Sequence, residues 1–237
     1  MKQYEFIFWD VDQTLLDFSK SENYALKYAF QKFGIKIDDG IVNLYAGIND
    51  SYWKRLEKGE IDKAQVLTGR FESLFSYMNI TEIAVEEFAP VYQKALGSVY
   101  YYRDDSFLLC SELRREFRQY VVTNGVTWTQ QNKLKLAGFN RVMDDIFISE
   151  MLGSPKPALS FFEKCFEQIP DFDKEKAIII GDSLTSDMLG GNNAGIACCW
   201  YNPEGKELTK VNGRELRIDY EIRHLWEIKD ILYGKVF

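Results

Sequence analysis

Hydrophobic positions fall into two regimes along the chain. Residues Tyr4 to Trp9 are apolar or aromatic apart from Glu5, the pattern of a strand buried on both faces of a parallel sheet. From about Ser19 to Tyr100 the apolar positions recur at helical spacing instead, in SENYALKYAFQKFG, IVNLYAGINDSYWKRLEKG, KAQVLTGRFESLFSYMN and EIAVEEFAPVYQKAL. Gly34, Gly59 and Asn79 punctuate this block, so it reads as about four helices with no strand among them.

Beyond Tyr100, short apolar runs alternate with helix-period stretches. The expected order is a helix over Ser106 to Phe117, a strand over Tyr120 to Thr123, a helix over Thr127 to Ala137, a strand over Ile146 to Ser149 and a helix over Ala158 to Gln168. The strand Ala177 to Gly181, a helix near Asp187 to Ala194, the strand Ile196 to Trp200, a further strand over Arg217 to Ile222 and a helix from His224 to Leu232 complete it. Such alternation predicts an α/β fold, a doubly wound, Rossmann-like parallel sheet covered on both faces by right-handed crossovers. The helical block interrupts this core after its first strand and, at roughly eighty residues with apolar faces of its own, is too long for a loop. It reads as an inserted helical cap domain over residues 18–100, the core domain being residues 1–17 and 101–237. The hinges are expected near Asp17 to Ser19 and Tyr100 to Asp104.

Composition narrows the chemistry. A chain of 237 residues with 46% hydrophobic and 27% charged side chains can bury a large core and is not of disordered type. The balance of 29 basic against 36 acidic side chains leaves a net charge of −7. That charge repels nucleic-acid phosphates and anionic membrane surfaces, so neither is expected as a partner. The single histidine, His224, removes every site that needs two imidazoles, and its setting in IRHLWEI reads as helix surface or packed core. Cys110, Cys165, Cys198 and Cys199 sit in apolar runs without CxxC spacing and read as reduced core residues. No run approaches the roughly 18 apolar residues of a membrane span, and no signal-peptide pattern is present, so a cytoplasmic protein is expected.

In an open parallel sheet the ligand crevice lies beyond the C-terminal strand ends. The first strand runs into Asp10-Val11-Asp12-Gln13-Thr14, the second into Thr123-Asn124-Gly125, and the fourth into Gly181-Asp182-Ser183 with Asp187 further on. The loop after the third carries Pro155-Lys156-Pro157. Carboxylates gathered at one edge repel each other unless a cation neutralises them, and an all-oxygen site suits Mg²⁺. The Lys156 ammonium, the Thr14 and Thr123 hydroxyls and the N–H groups of Asn124 and Gly125 are donors suited to phosphoryl oxygens. Each motif alone is also what a turn, a solvated loop or a helix cap provides. Their succession after four strands points to Mg²⁺-dependent phosphoryl transfer.

These motifs, with the helical insertion, resemble the haloacid dehalogenase superfamily of aspartate-nucleophile phosphatases with a C1-type cap, over essentially the whole chain. Within that superfamily the chain is similar to the bacterial pyrimidine 5′-nucleotidases that clear noncanonical nucleotides. The likeness rests on NDSYWKRLEKGEID and GRFESLF in the insertion, VTNGVTWTQQNKLKLAG and FISEMLGSPKP in the core, and GDSLTSDMLGGNNAGIACCWYN further on. Gln13 stands where the superfamily often has glycine, and Arg103-Asp104-Asp105 replaces a common Pro-Gly pair.

The resemblance implies a phosphomonoester hydrolase in which Asp10 attacks phosphorus and Asp12 exchanges a proton with the leaving group and then with water. It implies that Thr123, Asn124 and Lys156 hold the phosphoryl oxygens. Mg²⁺ would be held by Asp10, the Asp12 backbone carbonyl and Asp182, with Asp187 acting directly or through water. The implied substrate is a small phosphorylated metabolite, a nucleoside monophosphate, and the protein a monomer or weak homodimer. Substrate choice is expected from the insertion, where Tyr52, Trp53 and Phe71 offer rings for stacking and Asn49 and Arg70 offer hydrogen bonds. In a chain with 15% aromatic residues, core packing is the expected role of most such rings. Asp12 argues against a haloacid dehalogenase proper. A phosphatase of phosphoglycolate or of a sugar phosphate, a phosphosugar mutase, and a phospho-accepting receiver module that does not turn over stay open as alternatives.

Overall fold

A computed structural model describes residues 3–235; the expected domain limits at residues 1 and 237 lie outside them. The chain divides into two compact units, one running to Asp17 and resuming at Tyr101, the other formed by Phe18–Tyr100. Strand β1 (Phe6–Trp9) precedes the helical unit, whose elements are α1 (Phe18–Lys32), α2 (Asp39–Glu57), α3 (Lys63–Met78) and α4 (Val85–Leu96). After it follow α5 (Ser106–Leu113), β2 (Arg118–Thr123), α6 (Thr127–Leu136), β3 (Asp145–Ile148), α7 (Ser149–Leu152) and α8 (Leu159–Phe166). The remaining elements are β4 (Ala177–Gly181), α9 (Leu189–Ala194), β5 (Ala197–Tyr201), β6 (Tyr220–Ile222) and α10 (Ile228–Leu232).

The six strands form one parallel sheet in the order β3-β2-β1-β4-β5-β6. β1 lies at its centre, so its side chains are buried on both faces. Ile7 and Trp9 enter a cluster with Leu109, Leu134, Leu225 and Ile228, while Phe6 and Phe8 enter one with Phe147, Phe161, Phe162 and Ile196. This two-sided burial explains why the run reads as continuously apolar rather than alternating. The four cysteines are free and buried.

In the helical unit, α3 starts in a capping box between Asp62 and Gln65 and ends at Asn79 in the left-handed region, so one residue type opens the helix and another closes it. Its core gathers Phe30, Tyr45, Phe71, Phe75, Phe88 and Tyr92. Tyr45 stacks on Phe71 with ring centroids 5.4 Å apart. Among the described residues, no helix is long and apolar enough to cross a membrane.

Several element limits differ from those expected. β1 begins at Phe6 rather than Tyr4, and β6 covers only Tyr220–Ile222 because its register partners are Cys199, Trp200 and Tyr201. Helix α5 stops at Leu113 and α8 at Phe166, short of Phe117 and Gln168. The helix expected from His224 opens as a 3₁₀ turn over Leu225–Glu227, capped by the His224 ring accepting from the Trp226 N–H at 3.4 Å. The helix expected near Asp187 begins earlier, as a π turn over Leu184–Met188 capped by Ser183, which places Asp187 inside the turn.

Candidate active site

Parallel register brings the ends of β1, β2 and β4 together. The Asp10 N–H donates to the Ile180 carbonyl at 2.9 Å, which fixes the backbone beyond β1 against β4. From the loop after α7, the Lys156 ammonium donates to Asp10 Oδ1 at 2.7 Å, to Asp187 Oδ1 at 2.7 Å and to the Val122 carbonyl at 2.8 Å. All three of its donors are therefore used. The Asn124 side chain brackets this lysine: its Oδ1 accepts from the Lys156 N–H at 2.8 Å and its Nδ2 donates to the Lys156 carbonyl at 2.9 Å. Burial works against the ammonium, but Asp10 and Asp187 outweigh it and push its pKa up.

Asp10, Asp182 and Asp187 each offer a carboxylate oxygen within 4.8 Å of the others. Gly181 makes that possible, because a Cβ there would sit 2.3 Å from Asp187 Cγ. The Ser183 N–H donates to Asp187 Oδ2 at 3.1 Å, and the Trp200 indole donates to the Asp182 carbonyl at 2.9 Å. Thr14 is committed to Asp182 as well, its Oγ1 donating to Asp182 Oδ1 at 3.3 Å and accepting from the Asp182 N–H at 3.1 Å.

Three acids face one ammonium, and the surplus charge registers in the carboxyls. Burial, reinforced by Asp187, pushes Asp10 up to about 7; burial and Asp10 hold Asp182 well above the ordinary carboxylate range. A buried all-oxygen set with an excess of negative charge fits a hard divalent cation. With raised carboxyls the folded chain keeps protons that the unfolded chain has released, so the contribution of Asp10 to stability is full below about pH 4 and lost as pH rises through about 7. A divalent cation competes with those protons. Its stabilising effect, read as the difference in thermal midpoint with and without Mg²⁺, is expected to grow between about pH 5 and about pH 8. An increment that shrinks over that range would refute the assignment.

Asp12 stands apart from this cluster. Its Oδ2 accepts from Gln130 Nε2 at 2.6 Å and its Oδ1 from Lys133 Nζ at 2.5 Å. Neither Gln130 nor Lys133 was expected from the sequence. Thr123 Oγ1 accepts from the Gly125 N–H at 3.1 Å, which shapes the turn after β2. Gln13 has φ of 66°, a left-handed conformation that glycine adopts more readily than other residues; its side chain accepts from Arg103 Nη2 at 2.7 Å. Asp104 and Asp105 are also left-handed, which aspartate tolerates better than most residues.

In the helical unit, Asn49 and Arg70 come together and are nearly fully buried: Arg70 Nη1 donates to Asn49 Oδ1 at 2.7 Å, and Asn49 Nδ2 to Glu22 Oε1 at 2.8 Å. The guanidinium also lies over the rings of Phe71 and Tyr92. Trp53 instead packs against Leu56, Ile61 and Val66, with the Lys63 ammonium 5.8 Å from its ring centroid. Tyr52 belongs to the same small cluster and shares a hydrogen bond with Ser73 at 2.9 Å, while Phe71 is core.

A parallel sheet whose central strand ends in an aspartate, paired to a lysine and grouped with two more acids, defines a class of hydrolases. Residues 7–201 match the model of the haloacid dehalogenase-like hydrolases, and the chain belongs to that family. It is 38% identical over 233 residues to the HAD-hydrolase YfnB of Bacillus subtilis, covering 98% of this chain and 97% of that one. The crystal structure of YfnB bound to magnesium matches with a TM-score of 0.90 at 37% identity, covering 98% of this chain and 99% of that one. The pyrimidine 5′-nucleotidase PynA of Streptococcus pneumoniae is 37% identical over 97% of this chain and 95% of its own length. The pyrimidine 5′-nucleotidase YjjG of Escherichia coli is 28% identical over 86% of this chain and 89% of its own length.

Proposed function

We propose that this chain is a Mg²⁺-dependent phosphomonoesterase that hydrolyses pyrimidine nucleoside 5′-monophosphates through an aspartyl-phosphate on Asp10. The observation that carries the reading is the division of labour among the acids. Asp10, Asp182 and Asp187 cluster about Lys156, whereas the Asp12 carboxylate is held separately by α6.

In the first displacement the Asp10 carboxylate attacks phosphorus in line, the P–O5′ bond breaks, and Asp12 gives its proton to the departing O5′. In the second, water attacks the same phosphorus, Asp12 takes its proton, and the bond to Asp10 breaks to release inorganic phosphate. Lys156, the Asn124 N–H and the Thr123 hydroxyl, which the Gly125 N–H orients, stabilise the equatorial oxygens where charge gathers. Asp10, Asp182 and Asp187, with the Asp12 carbonyl, would hold Mg²⁺, whose charge lets an anionic ester approach so many carboxylates. Thr14 supports this set by fixing Asp182.

Residues 18–100 are assigned as the cap domain and residues 1–17 and 101–237 as the core domain, and base selectivity is assigned to Asn49, Arg70 and Trp53. Arg70 supports this, since its Nε and Nη2 are buried with no hydrogen-bond partner among the described residues and can donate to acceptor oxygens. The pyrimidine 5′-nucleotidase names of PynA and YjjG support this choice of substrate class. The protein then acts in the cytoplasm as a monomer or weak homodimer. A panel of phosphorylated metabolites with Mg²⁺, scored by phosphate release, tests the reading. UMP or dTMP should head it, and much faster turnover of phosphoglycolate or of sugar phosphates would overturn the nucleotide assignment.

A further inference from the structure

Helix α6 lends two side chains to Asp12. Gln130 and Lys133 are three residues apart and so share one face of the helix. Each takes one oxygen of the same carboxylate, at 2.6 Å and 2.5 Å. Both are buried, with Lys133 0% and Gln130 2% exposed. A lysine without water contact is costly unless paired, and this one is paired to the residue two positions beyond Asp10. Space for the second contact comes from Gly125, where a Cβ would lie 2.1 Å from Gln130 Nε2. Gln130 and Lys133 of α6 thus converge on one carboxylate, and Gly125 in the turn before that helix leaves room for Gln130.

We propose that Gln130 and Lys133 are positioning residues, a two-point clamp that fixes the plane of the Asp12 carboxylate for proton transfer to the leaving group, and that Gly125 is glycine to admit Gln130. The clamp rests on the phosphatase reading above. A purely structural pair, in which Asp12 only neutralises a buried lysine, would affect all substrates alike. A clamp for proton delivery does not, because kcat/KM covers only the steps through departure of the leaving group. The ribose alkoxide needs a proton to leave, whereas p-nitrophenolate leaves as a stable anion.

Lys133→Met and Gln130→Leu are expected to lower kcat/KM for UMP by about 100-fold, the low end of what a positioned acid contributes. Their loss on p-nitrophenyl phosphate should be smaller by about ten-fold or more, so that log kcat/KM falls more steeply with leaving-group pKa than in the parent enzyme. Gly125→Ala should follow Gln130→Leu, and these two variants carry the test if Lys133→Met fails to fold. Equal losses on the two esters in folded variants would overturn the clamp. Absence of wild-type hydrolysis of both esters would instead overturn the phosphatase reading, so the two failures are distinguishable.

Discussion

Asp10→Asn is expected to fold as the parent chain does and to lose turnover by about 10⁴-fold or more, the scale seen when a covalent nucleophile is removed. The amide has nearly the shape of the carboxylate, and its Oδ1 can still accept from Lys156, which lies 2.7 Å away in the parent. What it lacks is an anionic oxygen able to form a bond to phosphorus. One buried negative charge also disappears from a cluster where burial and Asp187 push Asp10 up to about 7. The metal-free variant should therefore be at least as stable as the metal-free parent at neutral pH. Circular dichroism with a thermal midpoint, alongside phosphate release from UMP, checks both halves. Turnover near the parent value in the folded variant would remove Asp10 from the reaction.

Lys156→Met is the second large effect. It removes the one ammonium that joins Asp10 to Asp187 and leaves two buried carboxylates facing each other. Breaking such a pair costs about 3–5 kcal/mol, and losing a donor to the developing charge costs about 10²–10³ in kcat. Mg²⁺ should recover part of the stability, because it supplies positive charge to the same oxygens, while leaving the loss in kcat. Chemical denaturation with and without Mg²⁺, beside steady-state kinetics, separates the two. A variant as stable and as active as the parent would show that Lys156 has neither role.

Much of the core was legible because its strands are apolar on both faces and end in polar residues. The limits of β4, Ala177 to Gly181, are legible in the sequence, as are the strand ends that carry Asp10, Thr123 and Asp182. Lys156 could be nominated from its loop, but not its bond to both Asp10 and Asp187, which depends on register across three strands. Lys133 and Gln130 were illegible for a physical reason. The segment TWTQQNKLKL has no clear apolar face, and a lysine ordinarily reads as solvated, so only the fold reveals that Asp12 makes its burial tolerable. Thr14 likewise reads as a donor to phosphate until Asp182 is seen on both sides of its hydroxyl. In the helical unit the aromatic run hid which rings are core: Phe71 lies inside, whereas Tyr52 and Trp53 form a separate, partly buried cluster.

The central claim, that Asp10 carries phosphate during hydrolysis of a nucleoside monophosphate, is tested most directly by acid-quenching the enzyme in the course of UMP turnover and mapping phosphate by mass spectrometry. The account expects phosphate on the peptide containing Asp10, dependent on Mg²⁺ and absent from Asp10→Asn. Full-rate phosphate release with that peptide unmodified, or with phosphate on another residue, would contradict it.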